Sequence, residues 1–348
     1  MSLRCRLKPV VAPVVRRINA APVPEAEILQ PEETEPAQPV TLLPNMLDRV
    51  TGTDEHSQLA AQLQAMQAKQ AIHAPVLRRI YRNALVRRGG FATWRHNESY
   101  KGRLLQGLGR PLIKVPELRY CHSYVSWRYF GHWLTDSVPS AFIEAEQGAL
   151  WMPPHPDWAD AAAYLQALDL APLTAPLVLA ERLIVYQDYG QGSHKRHRYE
   201  VIRKKLQSVF GAGEPMEYVY LRRGQTGVSR TIANEEVLID ALVARGWTIL
   251  DITGTTVAER QAVLCRARVV VSIDGSHIDH AHLSLSSGAV MVVLMPGDRF
   301  SVRQNGLCHA HGVSLGMVVL NGDQTEGYHV EIDEVLRTVD LAGAESRR

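Results

Sequence analysis

The nine residues DGSHIDHAH, 274 to 282, carry three histidines and two aspartates. Such a set could ligate a metal, grip a charged ligand, or be a helix start that happens to be histidine-rich. If 277–286 is helical, His277 and His280 share a face, His282 points elsewhere, and Asp274 can reach back from the loop. A zinc site needs three or four converging ligands. Only two imidazoles converge here, so the expectation is no metal and a histidine facing a phosphate or sugar hydroxyl. A metallohydrolase built on His277, His280 and Asp274 is the rival reading.

A second set lies in SWRYFGHWLTDSVPS, 126 to 140. His132 and Asp136 are four apart and share a helical face. A carboxylate beside an imidazole can orient it and raise its basicity, which suits a general base for a hydroxyl. The structural alternative is His132 packed among Trp127, Phe130 and Trp133. A third set is RRGQTGVSR after the apolar run EYVYL, with Arg222, Arg223 and Arg230. Guanidinium groups pair bidentately with phosphate. The Gly275–Ser276 step at a helix start would add backbone N–H groups. The alternatives are a solvated arginine loop and a plain strand–helix turn.

The elements that must position these groups follow from periodicity. From 217 onward, near-continuous apolar strands (EYVYL, WTILD, RVVVSI, AVMVVLM, GVSLGMVVLN) alternate with amphipathic helices, the pattern of a parallel sheet covered on both faces. Ligands of such sheets bind beyond the carboxyl ends of the strands, where RRGQTGVSR and DGSH both fall. Thr256 with Glu259 predicts a capping box, and Gly211 and Gly246 predict helix stops. Upstream, strands are expected near 84–94, 111–127, 149–152 and 177–186. Helices are expected over 55–72, 128–148 with a disturbance at Pro139, 156–170 and 196–213. The Pro/Glu-rich stretch 20–45 is too polar to bury much. The expected organisation is an extended arm over 1–54, a helix over 55–75, an α/β domain over 76–195, a Rossmann-like domain over 196–330, and a closing helix and tail over 331–348.

The 348 residues carry a formal net charge of +2, which gives no global field for nucleic acid. Cys5, Cys121, Cys265 and Cys308 form no C-x-x-C pair, as expected of reduced thiols. The amino-terminal stretch lacks an apolar leader and no run is long enough to cross a bilayer. A cytoplasmic protein is expected, with peripheral attachment to the inner membrane and self-association left open. No G-x-x-x-x-G-K-[ST] and no G-x-G-x-x-G opens a helix, which argues against P-loop hydrolysis and simple dinucleotide binding.

The order and spacing of FGHWLTDSVPS, YLRRGQTGVSRTIANEEVL, ARGWTILDITGTTVAERQAVLCRARVVVSIDGSH and GAVMVVLMP resemble glycosyltransferase family 61 over roughly 80 to 325. The resemblance implies a GT-B architecture, with two Rossmann-like domains facing a central cleft. It implies an inverting, metal-independent transfer from a nucleotide-sugar, a UDP-sugar first among them, to a glycan or other hydroxyl, as in bacterial surface polysaccharide synthesis. It places His132, Trp133 and Asp136 on the acceptor side, with Asp136 or His132 as base. Arg222, Arg223, Arg230, Asn234, Gly275, Ser276 and His277 fall on the donor side. Two positions depart: Asp274 stands where the family has a histidine, and Val293 where it often has a glutamate. They motivate the alternative of a non-catalytic scaffold or binding protein.

Overall fold

The structure, a computed structural model, describes residues 24–54, 57–100, 111–143, 148–224 and 230–346. The chain divides into two compact units. Of the described residues, the first takes those up to Pro31, Ala74–Trp158 and Ala171–Tyr189; the second takes Glu32–His73, Ala159–Leu170 and those from Gly190 onward.

The first unit is built on a mixed sheet ordered Asn97–Ser99, Gly90–Ala92, Val76–Arg87, Leu177–Gln187, Leu112–Tyr120, Ala149–Trp151. Leu177–Gln187 runs parallel to Leu112–Tyr120 and antiparallel to Val76–Arg87. Glu27–Gln30 pairs with the start of Val76–Arg87. Its core packs Tyr81, Phe91, Leu118, Tyr120, Trp151, Val178 and Leu183.

The second unit is built on a sheet ordered Thr248–Asp251, Met216–Arg222, Ala267–Ile273, Val290–Pro296, Ser314–Asp323, Gly327–His329, with Val40–Leu42 on Ser314–Asp323. Every pairing is parallel except that of Gly327–His329. The central strand Val290–Pro296 is buried at every position, because helices such as Ile332–Ser346 cover the sheet. The capping box of Thr256 and Glu259 forms as expected, and Ser193–Phe210 stops at Gly211. The chain is therefore an α/β protein with parallel sheet pairing in both units.

Several expectations are corrected. The Pro/Glu-rich stretch is extended, but its strands are taken up: Glu33–Pro36 pairs with Gln70–His73, and Val40–Leu42 joins the second sheet. Helix over 55–72 is limited to Leu59–Met66, after which the chain becomes a strand. Helix over 128–148 is replaced by short turns from Tyr124 to Ser140 that include a π turn, Trp133–Ser137. Pro139 has no N–H for the helix ladder, and a widened turn precedes it. Helix over 277–286 shrinks to the 3₁₀ turn Ser276–Ile278 and the single turn Asp279–His282. The helix Arg303–His311 went unread because polar Gln304 and His311 interrupt its apolar stripe, yet both are buried. Residues 1–23, 144–147 and the middle of the arginine loop, 225–229, lie outside the described residues, as does Cys5.

Candidate functional site

In the second unit, three adjacent parallel strands end at one edge. Met216–Arg222 leads into Arg223 and the arginine loop, Ala267–Ile273 into Asp274 and Gly275, and Val290–Pro296 into Arg299. Arg223 Nη1 donates to the Asp274 carbonyl at 3.1 Å, and Arg230 Nη1 donates to the same oxygen at 2.6 Å. The Arg230 guanidinium also pairs with the Asp274 carboxylate at 3.4 Å. That carboxylate accepts from Gln304 Nε2 at 2.9 Å, and Gln304 Oε1 lies 2.7 Å from His282 Nε2. Arg223 is buried. Burial, with Arg230 and Arg299 nearby, pushes its guanidinium down to about 10, so it remains charged at neutral pH. The turn thus gathers more positive charge than Asp274 neutralises, which is the electrostatics of an anion site.

Gly275 is required by closeness. A Cβ built there would meet Arg223 Nη1 at 2.5 Å, Arg230 Nη1 at 3.0 Å and His277 Nδ1 at 3.0 Å. The expected dipole of a following helix is not available, since a 3₁₀ turn and one α turn align few peptide units. Attraction for an anion here comes from guanidinium groups instead. Ser276 opens the 3₁₀ turn.

The other candidates of this unit separate. Arg222 turns to Glu235, Glu236 and Asp251, away from Gly275. Asn234 gives both ends of its amide to the backbone of Val330, at 2.8 and 3.0 Å, a structural clamp. His277 and His280 do not converge, because the expected shared helix is absent. His277 Nε2 lies 2.8 Å from Ser272 Oγ, while His280 Nδ1 faces the Tyr164 hydroxyl and its Nε2 faces Arg260. Burial holds both rings below their ordinary value, His280 at about 3. Among the described residues, the trio with metal-like spacing is Glu35, His73 and His309. Its Glu35 Oε1 already takes both Nε2 atoms and Arg196, and the Gln191 N–H meets His73 Nδ1 at 3.3 Å. Those contacts make it a hydrogen-bonded tie from the Glu33–Pro36 strand to two helices.

In the first unit, the parallel neighbours Leu112–Tyr120 and Leu177–Gln187 end side by side. Residues at and after these strand ends, with the π turn, line a small cleft that includes Ser123, Asp136, Ser140, Tyr186, Asp188 and Tyr189. His132 Nδ1 donates to Asp136 Oδ2 at 2.7 Å across the π turn. Ser140 Oγ donates to the Asp136 carbonyl at 2.8 Å and lies 3.4 Å from the Asp188 carboxylate. Buried His122 donates from Nε2 to the Pro153 carbonyl at 3.1 Å and takes Ser137 Oγ at Nδ1. Its burial pushes it to about 4, so it stays neutral. Trp133, expected on the cleft face, is fully buried with its indole N–H on the Met152 carbonyl. Asp136 lines the cleft and His132 stands behind it, an arrangement in which the carboxylate meets a ligand and the imidazole orients it.

Sequence reasoning missed Asp188, Tyr189, Arg299 and Gln304. The first two sit directly after an apolar strand, the one signal that could have marked them.

No curated protein matches the chain. The model of the family Glycosyltransferase 61 matches residues 130–292, a stretch that opens at the His132–Asp136 turn and runs through the Arg223–Arg230–Gly275 turn. No described helix is long and apolar enough to cross a membrane. Over these residues the chain is similar to the glycosyltransferase 61 family, a likeness that supports a glycosyltransferase.

Proposed function

We propose that the protein is an inverting, metal-independent glycosyltransferase that uses a nucleotide-sugar donor and a hydroxyl acceptor on a glycan, in bacterial surface polysaccharide synthesis. The observation that carries the reading is the convergence of Arg223 and Arg230 on the Asp274–Gly275 turn at the carboxyl edge of a parallel sheet. A buried and a half-buried guanidinium at such an edge suit a diphosphate, the leaving group of this reaction. Asp136 is the base that takes the acceptor proton, held by His132. The acceptor oxygen then attacks the anomeric carbon as the bond to the diphosphate breaks. Two units, each with its own sheet containing parallel pairs, support a GT-B type of organisation. Neither Arg222 nor Asn234 belongs to the diphosphate site in this reading.

The test has two stages. A thermal-shift screen of nucleoside diphosphates and nucleotide-sugars, UDP forms first, should raise stability by about 2.7 kcal/mol at a hundred times the dissociation constant. Transfer is then measured for Arg223→Ala and Asp136→Asn. Loss of one leaving-group contact should slow transfer by about 10²–10³-fold. Wild-type rates in both variants would remove the assignment. No shift with any nucleotide would favour a non-catalytic scaffold, the reading that the Asp274 and Val293 departures motivate.

A further inference from the structure

His277 is buried at the same turn, and its protons can be assigned from its neighbours. The Ser272 hydroxyl donates its one hydrogen to the Leu221 carbonyl at 2.6 Å. Its oxygen therefore accepts from His277 Nε2–H at 2.8 Å. Burial, with Arg223 and Arg230 near, disfavours a second proton on this ring. Nδ1 is then a bare lone pair. Among the described residues nothing hydrogen-bonds to it, and it lies 3.0 Å from the space a Cβ on Gly275 would fill, beside both guanidinium groups. A buried acceptor left unmatched is destabilising unless something meets it.

A phosphate oxygen cannot meet it, since both are acceptors. A hydroxyl can. We infer that His277 reads a hydroxyl of the phosphate-bearing ligand through Nδ1, so that the turn recognises a phosphate and an adjoining hydroxyl together. This rests on the diphosphate reading above. The hydroxyl belongs either to the ribose or to the transferred sugar, and the arms of the test separate the two.

The test is calorimetric titration with UDP against 2′-deoxy-UDP and 3′-deoxy-UDP, and with UDP-glucose against its 2-deoxy-2-fluoro analogue. Two variants divide the ring's roles. His277→Gln keeps a donor for Ser272 and removes the Nδ1 acceptor; His277→Asn keeps an acceptor near Nδ1. In the wild type, one analogue should bind about tenfold or more weakly than its parent. The Gln variant should bind parent and analogue alike, while the Asn variant retains the preference. A merely structural role would not move that ratio. A preference that persists in the Gln variant overturns the inference. So do wild-type ratios near one for every analogue, which decide the matter even if the Gln variant does not fold. Those results leave the diphosphate reading standing, whereas wild-type protein that binds no UDP or UDP-glucose overturns both.

Discussion

Gly275→Ala is the substitution that the geometry specifies most fully. The new methyl would lie 2.5 Å from Arg223 Nη1 and 3.0 Å from both Arg230 Nη1 and His277 Nδ1. Ordinary contacts between such atoms are about 3.5–4.0 Å, so the guanidinium groups must withdraw. Each is bonded to the Asp274 carbonyl, at 3.1 and 2.6 Å. Hydrogen bonds from charged donors contribute about 1.5–3 kcal/mol each. Some of this returns as the side chains regain water, which leaves an expected destabilisation of about 2–4 kcal/mol. The same withdrawal removes two phosphate partners, and at roughly one factor of ten per 1.4 kcal/mol the affinity for UDP should fall by about a hundredfold or more. The assay pairs urea unfolding with calorimetric titration by UDP. Gly288→Ala is the control. It has φ +83° and nothing within 4 Å of the added carbon, so it should cost about 1 kcal/mol of backbone strain and leave UDP binding unchanged. A folded Gly275→Ala protein that binds UDP within threefold of wild type would refute the placement of the anion at this turn.

Four further outcomes follow. Arg222→Ala should leave UDP affinity within about threefold of wild type, because its guanidinium is committed to Glu235 and Glu236; a hundredfold loss by titration would contradict this. Asp274→Asn removes a carboxylate that pairs with Arg230 and keeps an oxygen for Gln304, so binding of UDP should tighten by about three- to tenfold at low salt; weaker binding would count against a competing internal anion. His132→Ala should lower the transfer rate more than it raises the acceptor KM, because the ring touches Asp136; an effect on KM alone would assign it to binding. Stability should also fall with acid. His122 is held at about 4 and His280 at about 3 by burial, whereas an unfolded histidine titrates near 6.5. The unfolded chain therefore binds more protons between these values, and the stabilisation present above about pH 6.5 is lost as pH falls, by about 2 kcal/mol per ring at pH 5. Urea midpoints that do not change between pH 7.5 and pH 5 would show that these rings are not buried neutral.

The alternating strands and helices beyond residue 216 were legible because fully buried strands leave uninterrupted apolar runs such as VMVVLMP. The same periodicity located the carboxyl edge where Arg223, Arg230 and Gly275 fall. Which arginine faces the turn was not legible. Arg222 and Arg223 are adjacent, and along an extended chain adjacent side chains leave on opposite faces, so one pairs with Glu235 and the other is buried against Asp274. Asn234 had the right type and order, yet its neighbour in space, Val330, is 96 positions away. The strands at 27–42 were hidden for a related reason. Polar segments such as ETEP pair through backbone groups, and backbone groups leave no mark in a hydropathy pattern.

The amino-acid sequence by itself determined the α/β class, the parallel edge of the second unit and the His132–Asp136 spacing, because local periodicity and i,i+4 geometry are written in neighbouring residues. The tertiary structure alone decided that Arg223 and Arg230 meet on one carbonyl. It also decided that Asp188 joins Asp136 at a cleft, and that His277 keeps an unshared lone pair. Each of these depends on strands distant in the chain ending side by side, and chain-distant contacts are set by packing rather than by spacing.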